Sequence, residues 1–506
     1  MDRPLHSVRT RLDDFLAELA TLQYRHGAGL SRDLPLASLH ASFPELSAPD
    51  TFAAANEALS KARAKEDTLA VRRIQLLREL VATHVEEALA ARPAQAVANA
   101  EAQAVLTVDD QSFSFGEALG RLPREPVRAR RAKMERALGN FLWEQRGPHG
   151  DRREAALHTA EKLGATDYPA LREDVTGIAY AKLAEAAAQT LKQTEDAYRD
   201  VLAYALKKMD PLLRPLPGGD ARRHDVQAAL QAPWFDEHFR REDAWPAVVR
   251  WLGEWGFTPN ATGRIRLDEE DRPGKSSRPF AVAIRVPGDI RLVLQPRGGL
   301  DALGSLLHEM GHAQHRAHVS DTLPMELRRL GDAGITEAHA SVFERLLLSP
   351  EWLKRYLGLG TVLARDTVRF AAFQSLAVLR RHCAKLSYEL SLYTKGPSPE
   401  RADEYADGQR RALFAEPHPG FFLHDVDPQL YVAHYLRAWA LETRLTARLT
   451  ERFNEDFWRN PHAAAWLKGL YARGGTDDAE GLATEVSGTP LALPEAGVRL
   501  VAILNR

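Results

Sequence analysis

His308-Glu309-Met310-Gly311-His312 is an H-E-x-x-H pentad. Residues four apart on a helix share one face, one turn apart, so both imidazoles can reach a single cation. Two nitrogen donors so placed suit Zn²⁺. Glu309 stands beside such a metal and can take a proton from its bound water. Leu306, Leu307, Met310 and Ala313 recur at helical spacing between Leu303 and Ala317. The pentad is therefore predicted on a buried helix, not in a loop.

Two histidines leave zinc under-coordinated, and two residues compete as the third ligand. The local one is His318. The string through His312, His315 and His318 nearly fits the metzincin pattern H-E-x-x-H-x-x-G-x-x-H. Histidine stands there in place of the glycine that breaks the metzincin helix. The distant one is Glu337, within Gly334 to Glu344, a helical pattern that follows a glycine-punctuated loop and is capped by Thr336 or Asp332. A carboxylate from this second, antiparallel helix would complete a two-His, one-Glu site with an open position for water. Glu344, seven residues on and near the same face, could hydrogen-bond a ligating histidine. Glu326 is a fallback ligand beside the helix break at Pro324. His315, His318 and His339 otherwise read as helix-surface or supporting residues.

These helices need elements to position them. Arg264 to Asp268 alternates like a strand, and Asp271 to Ser277 is a polar loop. Phe280 to Val286 and Ile290 to Leu294 flank Pro287-Gly288-Asp289 as a hairpin, with Pro296 to Gly299 leading into the metal helix. The edge of a small antiparallel sheet there could take an extended peptide as an extra strand, or could only prop the helix. Residues 8 to about 210 read as successive helices, with breaks near Ser42-Phe43-Pro44, Arg92-Pro93, Arg146-Gly147-Pro148 and Pro211 to Gly219. Ser60 to Ala91 reads as one long helix. The basic run Arg128 to Lys133 reads as a solvated helix face, and so do Arg380, Arg381 and His382, which could instead bind a peptide C-terminus. Helices resume from Asp321 to about Gly474, and the tail after Gly474 carries no function that its residues reveal.

Composition bounds the rest. The chain has 506 residues, 44% hydrophobic and 27% charged, as in soluble globular proteins. A net charge of −2 gives no bulk field for nucleic acid or an anionic membrane. One cysteine, Cys383, excludes an intrachain disulfide and a cysteine-ligated zinc cluster. No secretory signal opens the sequence and no uncharged apolar run is long enough to span a bilayer, so a cytoplasmic location is expected. Oligomeric state is left open.

His308 to Glu344 resembles the gluzincin peptidases of the thimet oligopeptidase and oligoendopeptidase family, which are related to angiotensin-converting enzyme. The likeness rests on the pentad, on Thr322-Leu323-Pro324, on Arg328-Arg329 and on a glutamate ahead of an apolar helix. The lead-in Gly274 to Phe280 is similar to bacterial oligopeptidases. The resemblance covers roughly residues 270 to 445. It implies a mainly α, two-lobed metallopeptidase with a deep central channel, in which a small antiparallel sheet precedes the H-E-x-x-H helix. It also implies hydrolysis of short peptides. Residues 1–215 would then form part of the channel wall. Residues 216–506 would form the zinc-binding region: sheet 264–295, metal helices 300–348 and a tyrosine-bearing segment 424–445.

Family members place a histidine and tyrosines late in the chain facing the metal. Here the counterpart is His424 to Tyr435, with Tyr431 and Tyr435 as candidate oxyanion donors and His424 as a further one. His434 stands where the converting-enzyme pattern has tyrosine, and Ala438 where oligopeptidases carry a third. The expected chemistry is zinc-dependent peptide hydrolysis with Zn²⁺ on His308, His312 and Glu337 and with Glu309 as base. A silent peptide-binding scaffold and a metzincin-like protease using His318 stand as alternatives.

Overall fold

A computed structural model describes residues 3–231, 233–276, 278–294 and 298–506. Ser277 and Pro296, named above, lie outside that range. The chain is mainly helical, with two small sheets among the described residues. It divides into two compact units: residues 1–84, 234–371 and 437–492 in the first, and 85–233, 372–436 and 493–506 in the second. These units cut across the division expected near residue 215. The reason is packing: the N-terminal helix Arg3–Gly27 belongs with the metal helices. It buries Val8, Leu12 and Phe15 in a core with Leu39, Leu46 and Leu77. Its Asp13 pairs with Arg329 at 3.1 Å, and its last glycine, Gly27, lies against the Phe280 ring.

In the first unit, β3 (Ile265–Asp268), β4 (Phe280–Arg285) and β5 (Asp289–Val293) form a sheet in the order β3-β5-β4. The expected hairpin is present, with Ala281 opposite Leu292 and Ala283 opposite Ile290. β3 joins the other edge of β5 in parallel, Leu267 beside Leu292. After β3 the chain folds around buried Lys275, whose Nζ donates to Asp268 Oδ1 at 2.9 Å and to the Glu270 carbonyl at 2.6 Å. β5 is thus the central strand, with β3 and β4 at the two edges. Around the metal helices, Trp251, Trp255, Trp352 and Phe343 pack ring against ring, all fully buried. Aromatic burial of this kind is the largest apolar contribution a core offers per residue.

The second unit is helical, with one hairpin, β1 (Val105–Val108) and β2 (Gln111–Ser114), inside a stretch read from the sequence as helix. Asp109 at φ 51 makes the turn, and Ser114 caps the next helix with a Ser-Glu117 capping box. Helix Thr68–Gln103 runs through Pro93 without the expected break. Val85 and Val97, on either side of Pro93, are buried. The long helix expected over Ser60 to Ala91 is instead interrupted between Ala64 and Thr68. The basic run is only partly a solvated face: Ala129 and Lys133 are exposed, while Arg128 and Arg131 converge on buried Asp225, at 3.1 and 3.2 Å. Among the described residues no helix is long and apolar enough to cross a membrane.

Candidate metal centre

Helix Leu300–Ala317 carries the pentad. Gly299, at φ 108, turns the chain into it, a conformation that side-chain-bearing residues rarely adopt. Between residues 303 and 317 its half-exposed positions are Ser305, His308, Glu309, His312 and Arg316, and every other position is buried. The spacing of three and four makes one stripe, so burial of the rest of the helix leaves the chemistry-bearing residues along its open side.

Helix Ala333–Glu344 packs against it. Asp332 caps this second helix, accepting from the Gly334 N–H at 2.8 Å. The same carboxylate binds Arg437, which also binds Glu480, so the start of the helix is held by a buried guanidinium. Thr336, the other cap candidate, lies inside the helix.

One oxygen of Glu337 faces His308 Nε2 at 3.3 Å and His312 Nε2 at 3.6 Å. The ligand atoms of these three residues all lie within 4.8 Å of one another, a group that could hold a metal ion. Glu344, two turns beyond Glu337, takes the other side of the His308 ring, with Oε2 at 3.1 Å from Nδ1. A proton on Nδ1 leaves the Nε2 lone pair pointing at the space shared with His312 and Glu337. Two imidazoles and one carboxylate form the donor set of open zinc sites, so these residues fit the group that the pentad implies.

Charge keeps the cluster tight. Burial alone would push the His308 imidazole down, but the flanking Glu337 and Glu344 carboxylates outweigh it and hold its pKa up at about 10. Burial would raise Glu337, yet the two histidines hold it well below the usual carboxylate range. Glu344 is held at about 2 by Arg345 and His308, again against burial. Glu309 points instead to the sheet: its Oε2 accepts the Ala281 N–H at 2.9 Å. That N–H belongs to β4, an edge strand, so the Glu309 carboxylate sits against that edge. Farther along the edge, buried Arg329 binds the Ile284 carbonyl at 3.0 Å.

His318 is turned away. Its Nδ1 binds the Gln314 carbonyl of its own helix at 2.8 Å and its ring packs edge-on to Phe257. The helix continues through His315, so the sharp break that a metzincin needs is missing. Glu326 is taken up by Arg9 and Arg73. His315 and His339 are not on a helix surface; they are buried together against Tyr471 and pushed toward the neutral form by that burial.

The other residues singled out in the sequence belong to the second unit. Tyr435 stacks on His382 at 4.9 Å, Tyr431 meets Tyr435 edge-on, and His434 is buried beside Tyr431. Arg380 is fully buried and donates to the carbonyls of Leu191, Ala412 and Arg411, so it is neither solvated nor free for a peptide terminus. Arg381 binds Asp425. His424 lies in a group with Glu101 and His149 that could also hold a metal. Burial lowers the His149 pKa to about 4, with His424 and Arg153 adding to the effect, so the ring is neutral. Sequence reading passed over Glu101 and His149 because nothing local marks residues that meet only in the fold.

No family model matches the chain, and no curated protein matches it.

Proposed function

We propose that this protein is a zinc-dependent peptidase that hydrolyses short peptides, with His308, His312 and Glu337 holding the cation and Glu309 acting as general base. The observation that carries the reading is the Glu337 oxygen shared at 3.3 and 3.6 Å by two imidazole Nε2 atoms, with Glu309 next in the same exposed stripe. When bound there, the cation would polarise a carbonyl and acidify a water. Glu309 takes the proton of the attacking water and returns it to the leaving amine. Its bond to the Ala281 N–H orients the carboxylate and ties it to strand β4. A peptide strand pairing with that edge would take over the Ala281 N–H and leave the Glu309 carboxylate beside its backbone. His308 is kept in the Nε2-ligating tautomer by Glu344.

The reading does not rest on the tyrosine-bearing segment. The metzincin alternative lacks support, since His318 binds its own helix. A silent peptide-binding scaffold would share the ligands but has no need of a carboxylate at position 309. One buried cysteine, Cys383, suits a reducing compartment such as the cytoplasm.

Glu309→Gln tests the role. The variant should keep its zinc and lose turnover of a quenched fluorescent peptide by about 10²-fold or more. Normal cleavage by zinc-loaded Glu309→Gln protein, or none by zinc-loaded wild type across a mixed peptide library, would overturn it.

A further inference from the structure

Glu101, His149 and His424 come from three separate stretches of the second unit: the end of helix Thr68–Gln103, helix Arg146–Lys162, and the segment ahead of the turn Pro428–Leu430. Glu101 Oε1 stands 3.6 Å from His424 Nδ1 and 3.9 Å from His149 Nε2. Both distances exceed a hydrogen bond. Donor atoms that share one tetrahedral cation through arms of about 2.0–2.1 Å stand about 3.3–3.4 Å apart, so these side chains need to close by a few tenths of an ångström to share one. His149 is only 3% exposed, and neither of its ring nitrogens has a hydrogen-bond partner. A buried polar atom left unpaired is costly, and a cation would supply the partner that the protein side chains do not give this ring. Phe115 lies edge-on to the His424 ring at 5.7 Å and Phe421 at 6.2 Å, which limits where the ring can turn.

We propose that Glu101, His149 and His424 form a second metal site, for a divalent transition cation of the zinc class. Two imidazoles and one carboxylate favour that class over the all-oxygen shells of Ca²⁺ and Mg²⁺. Its role is to clamp. The segment carrying His424 is already tied down by Arg153, which donates to the Val426 carbonyl at 3.0 Å, and by Lys385, which binds Asp427 at 2.7 Å. A cation adds a bond from this segment to two helices at once. His424 is thereby assigned to holding a metal and not to donating to an oxyanion.

The test uses full-length His308→Ala/His312→Ala protein, which lacks both pentad imidazoles, so its result is independent of the proposed peptidase activity. The protein is stripped with chelator, dialysed against zinc chloride, and its metal content measured per chain. One zinc per chain is expected. Adding Glu101→Gln should weaken binding at least about 100-fold, beyond what loss of an outer partner brings. Adding His149→Ala should do the same. Glu101 is the more exposed of the two, so its variant decides the matter if His149→Ala fails to fold by circular dichroism. No zinc in the parent variant, or zinc retained after Glu101→Gln, overturns the site.

Discussion

A Cβ built on Gly311 would lie 2.6 Å from the Ala340 Cα. The two metal helices therefore touch backbone to backbone at the middle of the pentad. Only that approach lets the Glu337 carboxylate, one turn before Ala340, reach the imidazoles on either side of Gly311. Gly311→Ala is expected to push the helices apart, destabilising the fold by about 1–3 kcal/mol and weakening zinc binding. Denaturant unfolding and zinc titration of the same variant check this. Wild-type affinity would show that the contact does not set the site.

Glu337→Ala should abolish stoichiometric zinc at the pentad, because two imidazoles alone leave the ion under-coordinated. His318→Ala should leave it bound. Metal analysis of the two purified variants after dialysis gives a direct comparison, and the reverse pattern would make His318 the ligand.

Glu344→Gln tests the support given to His308. Loss of the carboxylate on Nδ1 should weaken zinc binding by about 10–100-fold while the three ligands remain. Competition with a chelator of known affinity measures it; an unchanged constant would reduce Glu344 to a bystander.

Asp332→Ala removes a helix cap and one of the two carboxylates on buried Arg437. Truncating one partner of a buried pair costs about 3–5 kcal/mol. The melting temperature should fall by several degrees, and zinc should dissociate at lower temperature than in wild type because Glu337 rides on the uncapped helix. A variant as stable as wild type would leave the Arg437 contact without weight.

The metal-free protein should lose stability as pH rises. His308 has a folded pKa of about 10, above its ordinary value of 6.5. Its contribution is fully present below about pH 6.5 and is lost as pH climbs through about 10. Glu344 runs the other way, with a folded pKa near 2, so its share is lost as pH falls from the usual carboxylate range toward 2. Zinc takes the neutral imidazole, so the loaded protein should lack the alkaline decline. Thermal melts of stripped and loaded protein at pH 7 and pH 9.5 compare the two slopes, and parallel slopes would remove His308 from the account.

The pentad, its helix, the hairpin ahead of it and the capped helix of Glu337 were legible in the sequence, because each is written in local spacing. His308 and His312 share a face whatever surrounds them, and Asp332 announces a helix start. Tertiary structure alone sets Glu337, and not His318, beside the two imidazoles: both are polar residues near the pentad, and the helices meet backbone to backbone at Gly311. It also set β3 parallel to β5, carried a helix through Pro93, drew residues 1–84 into the unit of the metal helices, and gathered Glu101, His149 and His424. These outcomes depend on which distant surfaces bury one another, a choice that no local period records.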